Sequence, residues 1–342
     1  MVVVVTGASG YIGSHIVANL LLRGEAVRAT VRDASDPERV AHLEALRVAE
    51  GGSLEIVEMD LFDADSVDAA IAGCSGLIHT AATVIVRSKD PQRKIVDPSV
   101  IGTQNVVAAV EKAGTIESFV HTSSTAAIRP MDYEDGQTLT TDTWADDATL
   151  ENNPYGLAKV SSERIVRQWH ANQPSDSRPR LVTIHPCMVF GPPMSPRHLR
   201  GSLALLMAMI RRETPLNLPM QVSIVDVRDV AEAHVRALTG GEEEGRYLVV
   251  AGDMMMGEMA KALKMAHPER KWATWTAPYW FSLIAALFHP KISVSWARNH
   301  LSRKLYWDAS PAEQALGMTW KSPVESLLDT TPAIFENGWE SR

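Results

Sequence analysis

The sequence predicts an α/β fold: a doubly wound parallel sheet followed by a smaller, mixed α/β lobe at the C-terminal end. Three observations carry this expectation. The chain opens on a β-branched run, Val2–Val5, which suits a strand buried on both faces. A glycine-rich turn, "TGASGYIG", follows at once and leads into helical spacing. Short apolar strands then alternate with amphipathic helices over roughly the first 190 residues. That alternation means βαβ units and parallel pairing.

The elements follow in order. After the first strand and the turn, "SHIVANLLLRG" reads as a helix ending at Gly24. "AVRATVR" is the second strand, "PERVAHLEALRVA" the second helix and "LEIVEMDL" the third strand. "DADSVDAAIAG" opens on capping residues and closes on Gly73, a short helix. "GLIHTAA" is the fourth strand, "VDPSVIGTQNVVAAVEKAG" a long helix closed by Gly114, and "SFVHTSS" the fifth strand. "YGLAKVSSERIVRQWH" is a helix and "RLVTIHP" a strand. Beyond it the regularity breaks at "GPPMSP", and "SLALLMAMIRRE" is an apolar helix. "VSIVDVRDVAEAHVRAL" reads as a strand and helix that return to the sheet. From "YLVVAG" onward the pattern is mixed and holds most of the tryptophans. The expected division is therefore residues 1–190, joined by 221–240, as the sheet domain, with 191–220 and 241–342 as the second lobe.

Composition narrows the function classes. The 342 residues are 45% hydrophobic and 22% charged, ordinary for a globular chain. With 33 basic against 41 acidic residues the net charge is −8, which argues against a nucleic-acid or anionic-membrane partner. The two cysteines, Cys74 and Cys187, form no CxxC pair and no zinc-like cluster. No metal is expected, and a reducing, cytoplasmic setting is, with both thiols as small hydrophobes. "MVVVV" has no basic stretch before it and does not read as a signal peptide. "APYWFSLIAALFHP" falls short of the ~20 residues that span a bilayer; it reads as a core or pocket-lining helix, or else an interfacial one. "DMMMGEM" and "WATWTAPYW" read as core.

The turn carries the first functional signal. Gly7, Gly10 and Gly13 stand in a G-x-x-G-x-x-G spacing after a buried strand and before a helix. Gly7 permits the tight turn, Gly10 lets the backbone approach a pyrophosphate, and Gly13 lets the helix pack closely. The helix N-terminus then offers free N–H groups to the phosphates. This is a Rossmann-type dinucleotide site. At the end of the second strand stands Arg32, which suits a 2′-phosphate and hence NADPH/NADP+ over NADH. Arg28 is less well placed, and Asp33 keeps an NAD reading open. Asp60, at the end of the third strand, is a candidate acceptor for the adenine amino group, or else an N-cap for the next helix.

The ordered set "TGASGYIG", "MDLFD", "HTAA", "GTQNVVAA", "HTSS", "YGLAK", "HPCMVFGP" and "VDVRDVAEAHVRAL" resembles the extended short-chain dehydrogenase/reductases. It is most similar to the dihydroflavonol 4-reductase and cinnamoyl-CoA reductase branch, with its 3β-hydroxysteroid dehydrogenase relatives. The resemblance covers residues 1–240 well. It implies a catalytic Ser124, Tyr155 and Lys159, with Asn105 as a supporting residue. It also implies cofactor contacts from Thr6, Gly7, Ser9, Gly10, Tyr11, Ile12, Gly13, Arg32, Asp60, Leu61, Thr80, Ala81, Ala82, Thr122, Lys159, Pro186 and Val189. One departure stands out. The plant flavonoid reductases carry an asparagine five residues after the serine; this chain has Arg129, a candidate ligand for a substrate anion or else a solvated loop residue.

The chemistry fits these residues. Reduction of a carbonyl by NADPH needs a proton donor for the oxygen, and tyrosine's ordinary pKa of ~10 is high for that task. A lysine at i+4 shares its helix face and favours the phenolate. Ser124 would polarise the carbonyl. His79, His121 and His185 lie on buried strands beside no carboxylate motif and read as satisfied core histidines. The expected activity is NADPH-dependent reduction of a ketone or aldehyde on an apolar, aromatic or polycyclic small molecule. The expected state is a monomer or homodimer. The alternatives are a nucleotide-sugar epimerase or dehydratase of the same fold, or a non-catalytic NADP-sensing regulator.

Overall fold

A computed structural model describes residues 1–82, 88–213, 215–288 and 294–341. The chain runs through β1 (Val2–Thr6), α1 (Tyr11–Leu22), β2 (Ala26–Val31), α2 (Pro37–Glu44), β3 (Ser53–Glu58), α3 (Ala64–Ile71) and β4 (Gly76–His79). It continues with α4 (Asp97–Ala113), β5 (Ser118–Thr122), β6 (Gln137–Leu139), α5 (Pro154–Ala171), β7 (Arg180–Pro186) and β8 (Met188–Phe190). Then come α6 (Leu203–Ile210), β9 (Gln221–Asp226), α7 (Val227–Ala237), β10 (Gly245–Val249), β11 (Gly252–Met255) and α8 (Met256–Ala266). The chain closes with α9 (Tyr279–Phe288), α10 (Val294–His300), β12 (Leu305–Trp307), α11 (Ser310–Leu316) and α12 (Pro323–Glu336).

Seven strands form the main sheet, all parallel, in the order β10-β7-β5-β4-β1-β2-β3. Its alternation is visible in the first strand. Val3 and Val5 join the core under α1, α2, α7 and α11, whereas Val4 joins the opposite core with α3, α4 and α5. The winding reverses between β1 and β4. That crevice, at the carboxyl ends of the strands, is where ligands bind in open sheets of this kind. Register places Thr6 opposite His79, and His79 opposite His121, so the ends of β1, β4 and β5 form one level floor.

Two elements differ from the sequence expectation. Residues 221–226 do not rejoin the large sheet; β9 pairs instead with β8 and β11 in a three-stranded sheet. Asp226 ends that strand and caps α7 by accepting from the Arg228 amide at 2.8 Å. Only α7 returns to the sheet, laid against α1, where Glu232 meets Arg23 at 2.6 Å. The seventh strand is Gly245–Val249, paired with β7.

The stretch "APYWFSLIAALFHP" is also not a core helix where it is described; its last two residues lie outside the described ones. In α9, Trp280 is 63% and Leu287 67% exposed, while Ala286 faces inward against Ala297 and Leu301. A helix this apolar on every side buries only the strip that a neighbour covers. Met254, Met256 and Met259 are core, as expected, but Trp275 is exposed. Among the described residues no helix is long and apolar enough to cross a membrane.

Candidate active site

The glycine turn has the geometry its spacing demands. Gly7 sits at φ +67°, and a Cβ there would lie 2.8 Å from the Ala81 Cα on the neighbouring strand's extension. A Cβ on Gly13 would lie 2.4 Å from the Gly7 carbonyl oxygen. α1 therefore starts flush against the turn, at an uncapped, exposed Gly10 with no acidic residue in its first turn. This leaves its N–H groups free to meet an anion. The Thr6 hydroxyl is spent inside the protein, bonded to His79 at 2.7 Å and to the amides of Thr80 and Ala81. It ties β1 to the segment Thr80–Ala82. Tyr11 donates to the Gly191 carbonyl at 2.7 Å, and His198 reaches Ser9 O at 3.3 Å. The loop after β8 is thereby fastened over the turn.

Arg32 is exposed at the end of β2 and has no partner among the described residues. Asp33 turns away and accepts from the Ser35 amide and hydroxyl, which hold its carboxyl below the usual range. Arg28 is committed elsewhere, to Glu55 at 2.7 Å and the Ala72 carbonyl at 2.8 Å. Of the two arginines of this strand and its end, Arg28 is engaged and Arg32 is not. Asp60 is not the helix cap: Asp63 caps α3, while Asp60 accepts from the Phe62 amide at 3.0 Å. Asn105 donates to the Leu61 carbonyl at 2.7 Å and fixes that loop.

The serine, tyrosine and lysine are brought together by local geometry. Ser124 follows β5 and caps the turn Thr125–Ala127, its hydroxyl accepting from the Ala126 amide at 3.1 Å. Asn153 caps α5 by accepting from the Gly156 amide at 2.9 Å, with Pro154 in the first turn. Gly156 was not anticipated as a site residue. A Cβ there would lie 3.0 Å from the Ala126 carbonyl oxygen, so its absence lets the helix start against the serine turn.

Tyr155 is half-buried, with the Ser124 side chain close enough to act on its hydroxyl. Burial pushes its hydroxyl above the ordinary tyrosine range, and the group that opposes this is Ser124, not Lys159 as the spacing suggested. Lys159 lies one turn further on, buried, and donates to the Thr122 carbonyl at 3.1 Å. Burial lowers it to about 8, with Glu163 opposing. Pro186 O lies 3.5 Å from the Ser124 hydroxyl, and Val189 is buried in β8.

Beneath these groups lies a cluster that corrects the reading of the histidines. His185 meets a carboxylate after all: its Nε2 is 2.8 Å from Glu163. Ser123 donates to the same oxygen at 2.7 Å, while Arg246 and Arg167 reach the other at 2.7 and 3.2 Å. Glu163 is fully buried; burial alone would raise its carboxyl, but His185 and then Arg246 hold it well below the usual range. The sequence held one sign of it. Tyr155, Lys159, Glu163 and Arg167 recur every four residues, one stripe along α5. His121 is not a satisfied core histidine. Both its ring nitrogens are buried with no hydrogen-bond partner among the described residues. It lines a small pocket with His79, Ser99, Thr103, Lys159 and Ser162.

Comparison with known proteins gives the family. Residues 3–251 match the NAD dependent epimerase/dehydratase family. A cinnamoyl-CoA reductase of Medicago truncatula is 34% identical over 273 residues, covering 78% of this chain and 81% of that protein. A bifunctional dihydroflavonol 4-reductase/flavanone 4-reductase of Malus domestica is 31% identical over 78% of this chain and 76% of its own length. The chain belongs to the NAD dependent epimerase/dehydratase family, in the branch of its NAD(P)-dependent reductases. The fold is shared with yeast methylglyoxal/isovaleraldehyde reductase Gre2 complexed with NADPH, at a TM-score of 0.78, 24% identity, and 99% and 100% coverage of the two chains. It is shared equally with a UDP-glucose 4-epimerase of Thermotoga maritima, at 0.75, 20% identity, and 98% and 99% coverage. Fold likeness therefore does not choose the reaction.

Proposed function

We propose that this protein is an NADPH-dependent reductase of a ketone or aldehyde on an apolar, aromatic or polycyclic small molecule. The observation that carries the reading is the grouping of Ser124, in the turn after β5, with Tyr155 and Lys159 on successive turns of α5, at the carboxyl ends of the strands. The turn around Gly7 and Gly13 fits a dinucleotide's phosphates, and unpartnered Arg32 fits the additional phosphate of NADPH. The relatives named as reductases support the same choice. The bound cofactor would supply the hydride. Ser124 would hold and polarise the carbonyl oxygen. Tyr155 would give that oxygen its proton, with Ser124 opposing the cost of the buried phenolate left behind and the Lys159 ammonium one turn away. Buried Lys159 and its tie to Thr122 would keep this charge close to the reacting centre.

The test is NADPH consumption against a panel of aryl ketones, quinone-like ketones, steroids and aldehydes, with NADH as the control. Turnover of at least one carbonyl, with NADPH preferred, supports the reading. No turnover, together with a nicotinamide cofactor that stays bound through purification, would assign the protein to epimerase or dehydratase chemistry instead.

A further inference from the structure

Several arginines of this chain are partly buried, and most meet a carboxylate. Arg28 meets Glu55, Arg228 meets Asp226, and Arg246 meets Glu163, each at 2.7 Å. Arg129 does not. Its guanidinium reaches the Tyr133 hydroxyl at 3.2 Å and stands 4.9 Å from the centre of that ring. Arg303, distant in sequence, stands 4.4 Å from the same ring and donates to the Tyr133 carbonyl. Among the described residues neither arginine has an ion-pair partner. Tyr133 supplies no counter-charge, because its hydroxyl donates to the Asn299 carbonyl at 2.8 Å. Burial lowers the Arg129 pKa, and the Arg303 charge lowers it further. A desolvated guanidinium without a carboxylate is costly to hold, and the cost is relieved when an anion arrives.

The pair stands beside the candidate active site. The Arg129 amide donates to the Thr125 carbonyl at 2.9 Å, in the turn that Ser124 begins. At a rise of ~2.0 Å per residue in such a turn, the two residues are roughly 10 Å apart along the chain. Tyr133 packs in one cluster with Ile128 and with Cys187, the residue after Pro186. The Pro186 carbonyl in turn lies 3.5 Å from the Ser124 hydroxyl and 3.4 Å from the Thr125 hydroxyl. Ser124 and Arg129 thus stand at the two ends of one short segment, with Arg303 at the Tyr133 ring that Arg129 also meets.

We propose that Arg129 and Arg303 form an anion subsite that receives a carboxylate of the substrate, at the end remote from its reducible carbonyl. This rests on the reductase reading. Guanidinium groups bind carboxylates bidentately, with a preference that a neutral ester cannot satisfy.

The experiment compares kcat/KM with NADPH for 4-oxo-4-phenylbutanoate and its methyl ester, in the wild type, Arg129→Gln and Arg303→Gln. The acid is expected to lead by about 10-fold or more in the wild type, which is about 1.4 kcal/mol. Its advantage should collapse toward one in Arg129→Gln and be only partly kept in Arg129→Lys, which retains the charge but not the two-pronged geometry. Equal use of acid and ester by the wild type, or an acid advantage that persists in both glutamine variants, overturns the proposal. Arg303→Gln carries the test if Arg129→Gln does not fold.

A binding arm separates this proposal from the reductase reading. Calorimetry with NADP+ present measures 4-phenylbutanoate against 4-phenylbutanamide, neither of which has a reducible ketone. If the carboxylate binds through Arg129 but no ketone is turned over, the subsite stands and the reductase reading falls. If ketones are reduced without regard to charge, the subsite falls alone. Inorganic phosphate that outcompetes the carboxylate would overturn the assignment of the anion.

Discussion

Replacing Glu163 by glutamine removes one negative charge at the base of the candidate site while keeping the side chain's shape. The carboxylate is fully buried and accepts from Ser123, His185, Arg246 and Arg167. Glutamine still offers one acceptor, but its amide group would present N–H donors to a neighbouring donor. Both guanidiniums then lose their shared counter-charge in a low-dielectric interior. Breaking a buried pair from one side costs ~3–5 kcal/mol, against a total stability of about 5–15 kcal/mol. Urea unfolding should register that loss.

The active site should feel the change as well, because Glu163 grips Ser123 beside Ser124 and lies one turn from Lys159. Displacement of reacting groups by about 1 Å can cost ~10²-fold in rate. The pH profile separates this from simple loosening. The folded pKa of Lys159, about 8, lies below the ordinary lysine value, so its charge is present below pH 8 and lost as pH rises through it. Glu163 holds that value up. In Glu163→Gln the alkaline fall in kcat should begin at a lower pH than in the wild type. An unshifted alkaline limb with a stability loss under about 1 kcal/mol would refute the reasoning.

Other predictions follow from single contacts. Arg32→Glu removes the cation that we propose meets the 2′-phosphate; a lost charge-assisted contact of ~1.5–3 kcal/mol should raise the KM for NADPH by roughly 10- to 100-fold and leave that for NADH unchanged or lower. Gly13→Ala puts a Cβ 2.4 Å from the Gly7 carbonyl oxygen, backbone against backbone. It should weaken dinucleotide binding and cost ~1–3 kcal/mol, read by fluorescence titration of NADPH and by thermal unfolding. Buried Lys159 also predicts that stability rises with pH from about 8 toward the ordinary lysine range, since the unfolded chain then binds the proton that the folded one has shed. Lys159→Met should abolish that rise in chemical-denaturation curves measured across this range.

Much of the site was legible because local chemistry decides it. Gly7 must take a positive φ, Gly13 must lack a Cβ, and Asn153-Pro154 must start a helix wherever they stand. The lengths of β1, β2 and β7 follow from their apolar runs for the same reason. What sequence could not show depends on pairing across the fold. β6 and β12 are three-residue strands whose partners are more than 160 residues apart, too short for periodicity to mark. His185 and Glu163 lie on different elements, so nothing in either motif announces the carboxylate. Arg129 and Arg303 meet only through Tyr133. α9 looked like core because its residues are apolar; whether such a helix is covered depends on its neighbours, not on its own composition.

The central claim is that Tyr155 delivers the proton. Its most direct test is the pair of measurements on Tyr155→Phe: the NADPH dissociation constant and kcat for any carbonyl that the wild type reduces. The phenylalanine keeps the ring and removes only the hydroxyl beside Ser124. Cofactor binding should stay within about 3-fold while kcat falls by ~10²-fold or more, the usual worth of a positioned acid. Near-normal turnover in that variant, with NADPH bound as before, would contradict the account.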